Sequence, residues 1–155
     1  DPERFQNEIQ KLTLANDDET ITIEHVETLT SDTLEQDIWN LINAINEQDK
    51  TNSMEILERL RLQSIDPNYI ISMLARNLRL ITLTKFLSSK NKTYSEMASQ
   101  LAVPPFTIPQ LISASKKYSD ERICKLYTKM SNLDMQIKTG QIDGNLGITV
   151  LLPYI

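Results

Sequence analysis

The sequence is short of the residues on which several classes of protein depend. It has 155 residues but only three glycines, all near its C-terminus. Few stretches alternate apolar and polar side chains, which together with scarce glycine argues against a sheet protein. A single cysteine, Cys124, excludes an internal disulfide framework and fits a reducing compartment. No apolar run approaches the roughly 20 residues that span a bilayer, so we expect no membrane association.

Residues that build cofactor and catalytic sites are equally scarce. A P-loop needs glycines ahead of its Lys-Ser/Thr pair, and Lys138-Thr139 follows no such loop. One histidine, His25, and one cysteine give no metal-ligand spacing. We therefore expect no cofactor, no metal and no intrinsic enzymatic activity. An enzyme with an unrecognised site stays an alternative that would need a cluster of titratable groups.

Charge is divided unevenly along the chain. Residues 1–66 hold 16 acidic and 5 basic side chains, whereas residues 67–155 hold 5 acidic and 11 basic ones. Such asymmetry suggests contact with an oppositely charged partner or between the two halves. Ordinary solvent-exposed faces of the fold would explain this uneven distribution of charge as well.

Helical periodicity is what the sequence contains. A helix is predicted over residues 66–88, where Asp66 can cap the first turn and Pro67 suits the first position. Two apolar stripes lie on it, and polar residues keep only a narrow strip, so we expect neighbours packed on two sides. The stripes are Ile70, Ile71, Leu74, Leu78 and Ile81, and Met73, Leu80 and Leu87; Ser72, Arg76 and Arg79 mark the strip.

Shorter helices are predicted on both sides of this one, which makes the fold an all-α helical bundle. We expect helices over residues 2–16, after a cap at Thr22, and from a new start at Ser31-Asp32-Thr33, the last with Trp39 in the core. One further helix is predicted after residues 47–50, and another begins at a capping box of Thr93 and Glu96. A helix over residues 106–118 has an irregular, proline-rich start, and Asp120 caps the last long helix. Gly140 is a natural left-handed stop for the last long helix.

Two features could bind a partner. The helices at 93–102 and 105–118 have the lengths of a helix-turn-helix, so a DNA-binding fragment of a transcriptional regulator is an alternative. Its reading helix, however, begins PPFTIPQ, without the side chains that read bases. The second feature is a pair of basic stripes that could dock an acidic partner or a nucleic-acid backbone. They are Arg76 and Arg79 on the central helix, and Arg122, Lys125 and Lys129 at positions i, i+3 and i+7.

The order of several segments resembles the C-terminal half of the bacterial DNA polymerase III delta subunit family, which are clamp-loader proteins. The likeness lies in IWNLINAINEQDKTNSMEILERL, LARNLRLITLTKFL and YSEMASQLAVPPFTIPQLISASKKYS, and in LDMQIKTGQID with its Lys138-Thr139-Gly140 ending. Upstream, EIQKLTLAN and ITIEHVETL resemble the last helices of that family's AAA+ lid domain. The likeness covers essentially the whole chain.

The resemblance implies that residues 1–31 end a lid domain and that residues 32–155 form the helical collar, an oligomerisation domain. Through its collar, delta would join the ATPase (gamma/tau) subunits and delta prime in a pentamer that loads the sliding clamp onto primed DNA. Lys138, Thr139 and Gly140 would be a structural motif. The protein would be a cytoplasmic, replisome-associated subunit of the DNA polymerase III holoenzyme, a DNA-directed DNA polymerase and nucleotidyltransferase complex.

The chain opens on Asp1 rather than Met, so we expect it to be a piece of a longer protein. In the family, delta engages and opens the clamp through its N-terminal domain, which would lie upstream. This piece would therefore neither open the clamp nor hydrolyse ATP, and it would meet DNA only indirectly. Its expected role is assembly.

Overall fold

The computed structural model describes the backbone of residues 23–155 and the side chains of residues 35–155. Every regular element in this part of the chain is helical, which confirms the all-α prediction. The helix predicted over residues 2–16 and the cap predicted at Thr22 lie outside the described residues. The α-helices are α1 (Ile23–Glu47), α2 (Lys50–Leu62), α3 (Pro67–Ser89), α4 (Tyr94–Leu101), α5 (Ile108–Lys116), α6 (Asp120–Lys138) and α7 (Gly144–Leu151), with 3-10 turns at Pro105–Thr107 and Leu152–Tyr154.

The chain divides into two compact units, Asp1–Trp39 and Asn40–Ile155. The division falls inside α1. The second unit contains the end of α1 and the helices α2 to α7 with a continuous set of buried aliphatic side chains. All the sites described below belong to this second unit.

The helix start predicted at Ser31-Asp32-Thr33 is wrong, because α1 runs through these residues without a break. Neither glycine nor proline occurs between residues 23 and 47. Serine, aspartate and threonine each cost less than about 1 kcal/mol inside a helix, whereas a new helix must be nucleated again. The placement of Trp39 in the core is also wrong, since 43% of this side chain is exposed.

Helix α3 is the centre of the bundle and contacts α4, α5, α6 and α7. As predicted, Asp66 caps it by accepting a hydrogen bond from the backbone N–H of Asn68 at 2.9 Å, and Pro67 occupies the first turn. The first apolar stripe, from Ile70 to Ile81, is buried along its whole length. Burying one such side chain stabilises the fold by about 2 kcal/mol, so this stripe fixes which side of α3 faces inward. The second stripe is only partly covered: Leu87 is buried, but Met73 and Leu80 are half-buried.

The predicted capping box opens α4. Thr93 Oγ1 accepts from the Glu96 backbone N–H at 3.3 Å, and Glu96 Oε2 accepts from the Thr93 N–H at 2.8 Å. The Thr93 backbone N–H, the ammonium of Lys92 and the Thr93 hydroxyl all favour the ionised carboxylate, which lowers the pKa of Glu96 from 4.5 to about 2. Beyond α4, the irregular start predicted for the next helix is confirmed: a 3-10 turn precedes α5, and Pro109 lies in its first turn.

One residue separates the predicted cap of α6 from the observed one. Ser119, not Asp120, is the cap, and its hydroxyl accepts from the Arg122 N–H at 3.2 Å. Asp120 is instead the first helical residue and pairs with the ammonium of Lys85 on α3 at 2.7 Å. Lys85 also donates to the backbone carbonyl of Tyr118 at 2.6 Å. The start of α6 is thereby fixed to the outer part of α3.

Helix α7 lies against both long helices through two glycines. A Cβ on Gly144 would lie 2.6 Å from Pro67 Cβ at the start of α3, and a Cβ on Gly147 would lie 2.5 Å from Leu133 Cδ1 on α6. Real Cβ atoms do not approach other atoms this closely, so an alanine at either position would force the facing side chain to shift. The C-terminal apolar segment thus closes the bundle.

Candidate partner interface

One row of side chains on α3 stays exposed from end to end. Its members are spaced alternately three and four residues apart, which places them on one stripe of the helix. We call this row the outer seam: Tyr69, Ser72, Arg76, Arg79, Leu83, Phe86 and Lys90. The sequence predicted Arg76 and Arg79 on an exposed strip, and the structure brings them together at the middle of the seam. Its apolar members were not singled out, although their spacing relative to the arginines was a readable signal.

The outer seam has large apolar side chains on both sides of its two arginines and ends in a third basic residue, Lys90. The exposed fractions are 40% for Tyr69, 37% for Leu83 and 56% for Phe86, which is high for large apolar side chains of a bundle's central helix. The Lys90 ammonium lies 5.6 Å from the centroid of the Phe86 ring. Ser72 donates its hydroxyl to the Asn68 carbonyl and so offers little polarity outward. From Tyr69 to Phe86 the seam is about 26 Å long at 1.5 Å per residue.

The second predicted stripe, on α6, has different surroundings. Arg122 donates through Nη2 to the carbonyl oxygen of Ile155 at 2.8 Å, and its guanidinium lies 4.9 Å from the centroid of the Tyr118 ring. Lys125 pairs with Glu121 one turn earlier at 2.6 Å. Lys129 places its ammonium 3.6 Å from the centroid of the Tyr154 ring. Each cation of this stripe therefore has a counterpart within the same bundle.

Arg122 belongs to a small cluster beside the core. The Tyr118 hydroxyl donates to the same Ile155 carbonyl at 3.1 Å. Burial raises the pKa of Tyr118, and the nearby positive charge of Arg122 opposes that rise. The neutral phenol is thus the form that the fold favours, as expected for a hydroxyl that acts as a hydrogen-bond donor. This cluster holds the C-terminal residues against α6.

A shallow groove of about 200 Å³ runs between α6 and α7. Leu133, Gly147 and Leu151 form its buried floor, because the missing side chain of Gly147 lets the helices approach. Its walls and ends are Lys129, Asn132 and Gln136 from α6, together with Ile142, Val150 and Tyr154. Its one cation already lies over its one aromatic ring.

Lys138, Thr139 and Gly140 end α6, where the family resemblance expects a structural motif. Gly140 has φ of 71°, as predicted for a left-handed stop. The Gly140 N–H donates to the Ile137 carbonyl at 3.0 Å, and the Gln141 N–H donates to the Gln136 carbonyl at 2.8 Å, the two bonds of a Schellman motif. The Thr139 hydroxyl bonds the Met135 carbonyl, and Lys138 pairs with Asp134 at 2.6 Å. All four contacts are internal to the helix end.

Within residues 35–155 no group of three His, Cys, Asp or Glu side chains is placed to hold a metal ion. Cys124 is an exposed free thiol. The side chain of His25 lies outside the described residues. No helix in the described part is both long and apolar enough to cross a membrane.

Three comparisons with known proteins point to the same family. Residues 35–154 match the model of the DNA polymerase III delta subunit, C-terminal domain. DNA polymerase III subunit delta of Bacillus subtilis is 32% identical over 146 residues, which cover 94% of this chain and 42% of the relative. The solved structure of the Bacillus subtilis DNA clamp loader delta protein superposes with a TM-score of 0.71 at 32% identity, covering 94% of this chain and 43% of that one.

The chain thus spans less than half the length of the relatives that it matches. These comparisons do not support the alternative of a helix-turn-helix transcriptional regulator. They agree with the order of segments in the sequence and with the helical bundle. The chain belongs to the DNA polymerase III delta subunit family and contains that family's C-terminal domain.

Proposed function

We propose that this chain is the assembly part of a clamp-loader delta subunit. Residues 32–155 act as the collar, which holds delta in a ring with the ATPase (gamma/tau) subunits and delta prime. Residues 1–31 end the preceding AAA+ lid domain. The match of residues 35–154 to the delta C-terminal domain supports a boundary in this region.

The observation that carries the proposal is the outer seam. A helix that is central to its own bundle usually buries its large apolar side chains, because each one left in water forfeits about 2 kcal/mol of burial. Here Tyr69, Leu83 and Phe86 lie in one exposed row instead. Rows of this kind mark surfaces on which another protein packs.

In this function the chain supplies rigidity and contacts rather than chemistry. The collar holds delta in place so that ATP-driven motion in the neighbouring subunits reaches the sliding clamp. The clamp itself is engaged by the N-terminal part of delta, so DNA is met only through the assembly. We expect the chain to hydrolyse no ATP and to work in the cytoplasm at the replisome.

Size-exclusion chromatography with light scattering tests the proposal. The chain is mixed with the ATPase subunit and delta prime of the same organism, and each mixture is compared with its separate components. We expect co-elution at a defined stoichiometry. A chain that elutes alone from both mixtures, although it is folded by circular dichroism, would contradict the proposed function.

A further inference from the structure

We propose that the turn between α1 and α2 is a hinge, at which the two helices can join into one continuous helix and exchange the end of α1 between two copies of the chain. The closed turn is the form described above, and the joined helix is a second form of the same sequence. The hinge is independent of the proposed function, because every contact that bears on it lies within the second unit.

The closed turn contains a strained residue. Gln48 follows α1 with φ of 63°, in the left-handed region that glycine and asparagine adopt readily and glutamine does not. Its N–H donates to the Ile45 carbonyl at 2.9 Å, and the Asp49 N–H donates to the Ala44 carbonyl at 2.9 Å. These bonds close the turn although they strain Gln48. A joined helix would return this residue to the right-handed conformation that L-residues prefer.

The local sequence permits a helix to continue through the turn. Neither glycine nor proline occurs from residue 23 to residue 62, the span of α1, the turn and α2. Gln48 and Lys50 are good helix formers, and a single aspartate weakens a helix interior only slightly. A local feature that does favour the break is the cap of α2, where the Asp49 carboxylate accepts from the Asn52 N–H at 3.1 Å.

Contacts with other parts of the bundle keep the turn closed. The side-chain amides of Asn46 and Asn77 exchange two hydrogen bonds, of 2.8 and 3.3 Å, which tie the last turn of α1 to the middle of α3. Asn77 is buried, and a buried amide without a partner is unfavourable. The Lys117 ammonium donates to the Asn46 carbonyl at 3.0 Å, and Lys50 donates to the Pro153 carbonyl at 3.1 Å. The closed turn therefore depends on tertiary contacts as well as on its own backbone bonds.

A second copy of the chain can supply the same contacts. If α1 and α2 join, the end of α1 leaves its own bundle, and the buried side chains of Leu41, Ile42 and Ile45 lose their surroundings. The bundle of a second copy offers an identical site, including Asn77 and Lys117, so two copies can satisfy each other reciprocally. A short and strained connection favours such an exchange.

A variant that strains the closed turn further tests the hinge. Gln48→Val with Asp49→Ala places a β-branched residue at the left-handed position and removes the cap of α2, whereas a continuous helix accommodates both new residues. We expect this variant to form a dimer that exchanges slowly with the monomer, because α1 must leave its bundle before the copies separate. Sedimentation equilibrium should give a dimer dissociation constant at least about tenfold below that of the wild-type chain.

The turn between α2 and α3 offers a matched control. Ser64 has φ of 58° there and Asp66 caps α3, but Pro67 follows and would break a helix that continued from α2. Ser64→Val with Asp66→Ala should therefore lose stability without forming a dimer.

A proline at the start of α2 shows whether the association runs through a joined helix. Adding Lys50→Pro to the double variant at Gln48 and Asp49 should restore the monomer, because proline suits the first position of α2 but not the interior of a joined helix. Circular dichroism confirms the helical content of each variant. A double variant that is folded and as monomeric as the wild type overturns the inference. So does a dimer that persists with Lys50→Pro, and so does equal dimerisation of the control at Ser64 and Asp66.

The wild-type chain gives a second measurement, which decides the matter if the double variant does not fold. Refolded from urea at increasing concentration, the wild type should yield a fraction of slowly exchanging dimer on size-exclusion chromatography. Lys50→Pro alone should lower that fraction by at least about tenfold. Equal dimer fractions in the two chains, or no dimer in either, overturn the inference. No other subunit takes part in these experiments, so their failure leaves the proposed function intact.

Discussion

Helices α3 and α6 both carry a row of basic side chains, but the rows differ in their other members. On α6, Arg122 bonds Ile155, Lys125 pairs with Glu121, and Lys129 lies over Tyr154. On α3, the arginines share their row with exposed apolar side chains, and the helix has no acidic residue. The basic side chains of the α6 row thus interact with residues of their own bundle. The comparison teaches that the exposed apolar side chains of a row, rather than its count of charges, favour the α3 row as the proposed docking surface.

The largest expected effect is a loss of stability when the contacts of α7 with α3 and α6 are disturbed. Gly144→Ala would press a Cβ against the Pro67 ring of α3, which cannot move aside, and should destabilise the chain by about 2 to 3 kcal/mol. Gly147→Ala would meet the side-chain ends of Leu133 and Ile137 on α6, which are flexible, and should cost about 1 kcal/mol. Urea denaturation measures both. Equal losses of stability in the two variants would show that α7 tolerates an added methyl group equally well against α3 and against α6.

Arginine removal compares the two rows directly. Arg122→Ala loses a charge-assisted hydrogen bond and the contact with the Tyr118 ring, so the free energy of unfolding should fall by about 2 kcal/mol. Arg79→Ala removes an exposed side chain and should change stability by less than about 0.5 kcal/mol. Thermal and urea denaturation give both values. Similar losses of stability in the two variants would contradict the distinction between the α3 row and the α6 row.

The ends of the two helices provide a smaller comparison. Helix α6 ends at Gly140 with φ of 71°, and α3 ends at Asn91 with φ of 52°. No atom lies within 4 Å of a Cβ on Gly140, so Gly140→Ala should cost about 1 kcal/mol from backbone strain alone. Asn91→Gly should stabilise the chain by no more than about 0.5 kcal/mol, because asparagine tolerates this conformation. A large gain at Asn91 would indicate stored strain at the end of α3.

The smallest expected effect is on acid stability just beyond α3. The carboxylate of Glu96 has a pKa of about 2 in the fold against 4.5 in the unfolded chain. Its contribution is therefore complete above pH 4.5 and is lost as the pH falls towards 2. Glu96→Gln should flatten the dependence of the denaturation midpoint on pH in this window. An unchanged slope would show that other carboxylates dominate acid unfolding.

Much of the fold was readable from local signals. Asp66 and Pro67 start α3, Thr93 and Glu96 start α4, and Gly140 ends α6, because capping depends on residues that are adjacent in sequence. The buried stripe of α3 was readable for the same reason, since helical spacing fixes which side chains share a face.

Other features left no readable signal in the sequence. Four further left-handed residues, Gln48, Ser64, Asn91 and Ala102, were not predicted, because each follows a helix end with the local backbone bonds that Gly140 also makes, but without the glycine that marks this position in a sequence. The bonds of Arg122 to Ile155 and of Lys85 to Tyr118 join residues more than thirty positions apart. The sequence grouped the basic residues correctly by helix face, but only the fold shows which row its own bundle occupies.

The most direct test of the central claim is the affinity of the chain for its partner subunit when one row at a time is altered. Isothermal titration of the ATPase subunit or delta prime would compare the wild-type chain with two double variants. We predict at least about a tenfold loss for Arg79→Ala with Phe86→Ala, and little change for Lys125→Ala with Lys129→Ala. The opposite order, with the α6 variant weakened and the α3 variant unchanged, would contradict the assignment of the outer seam as the docking surface.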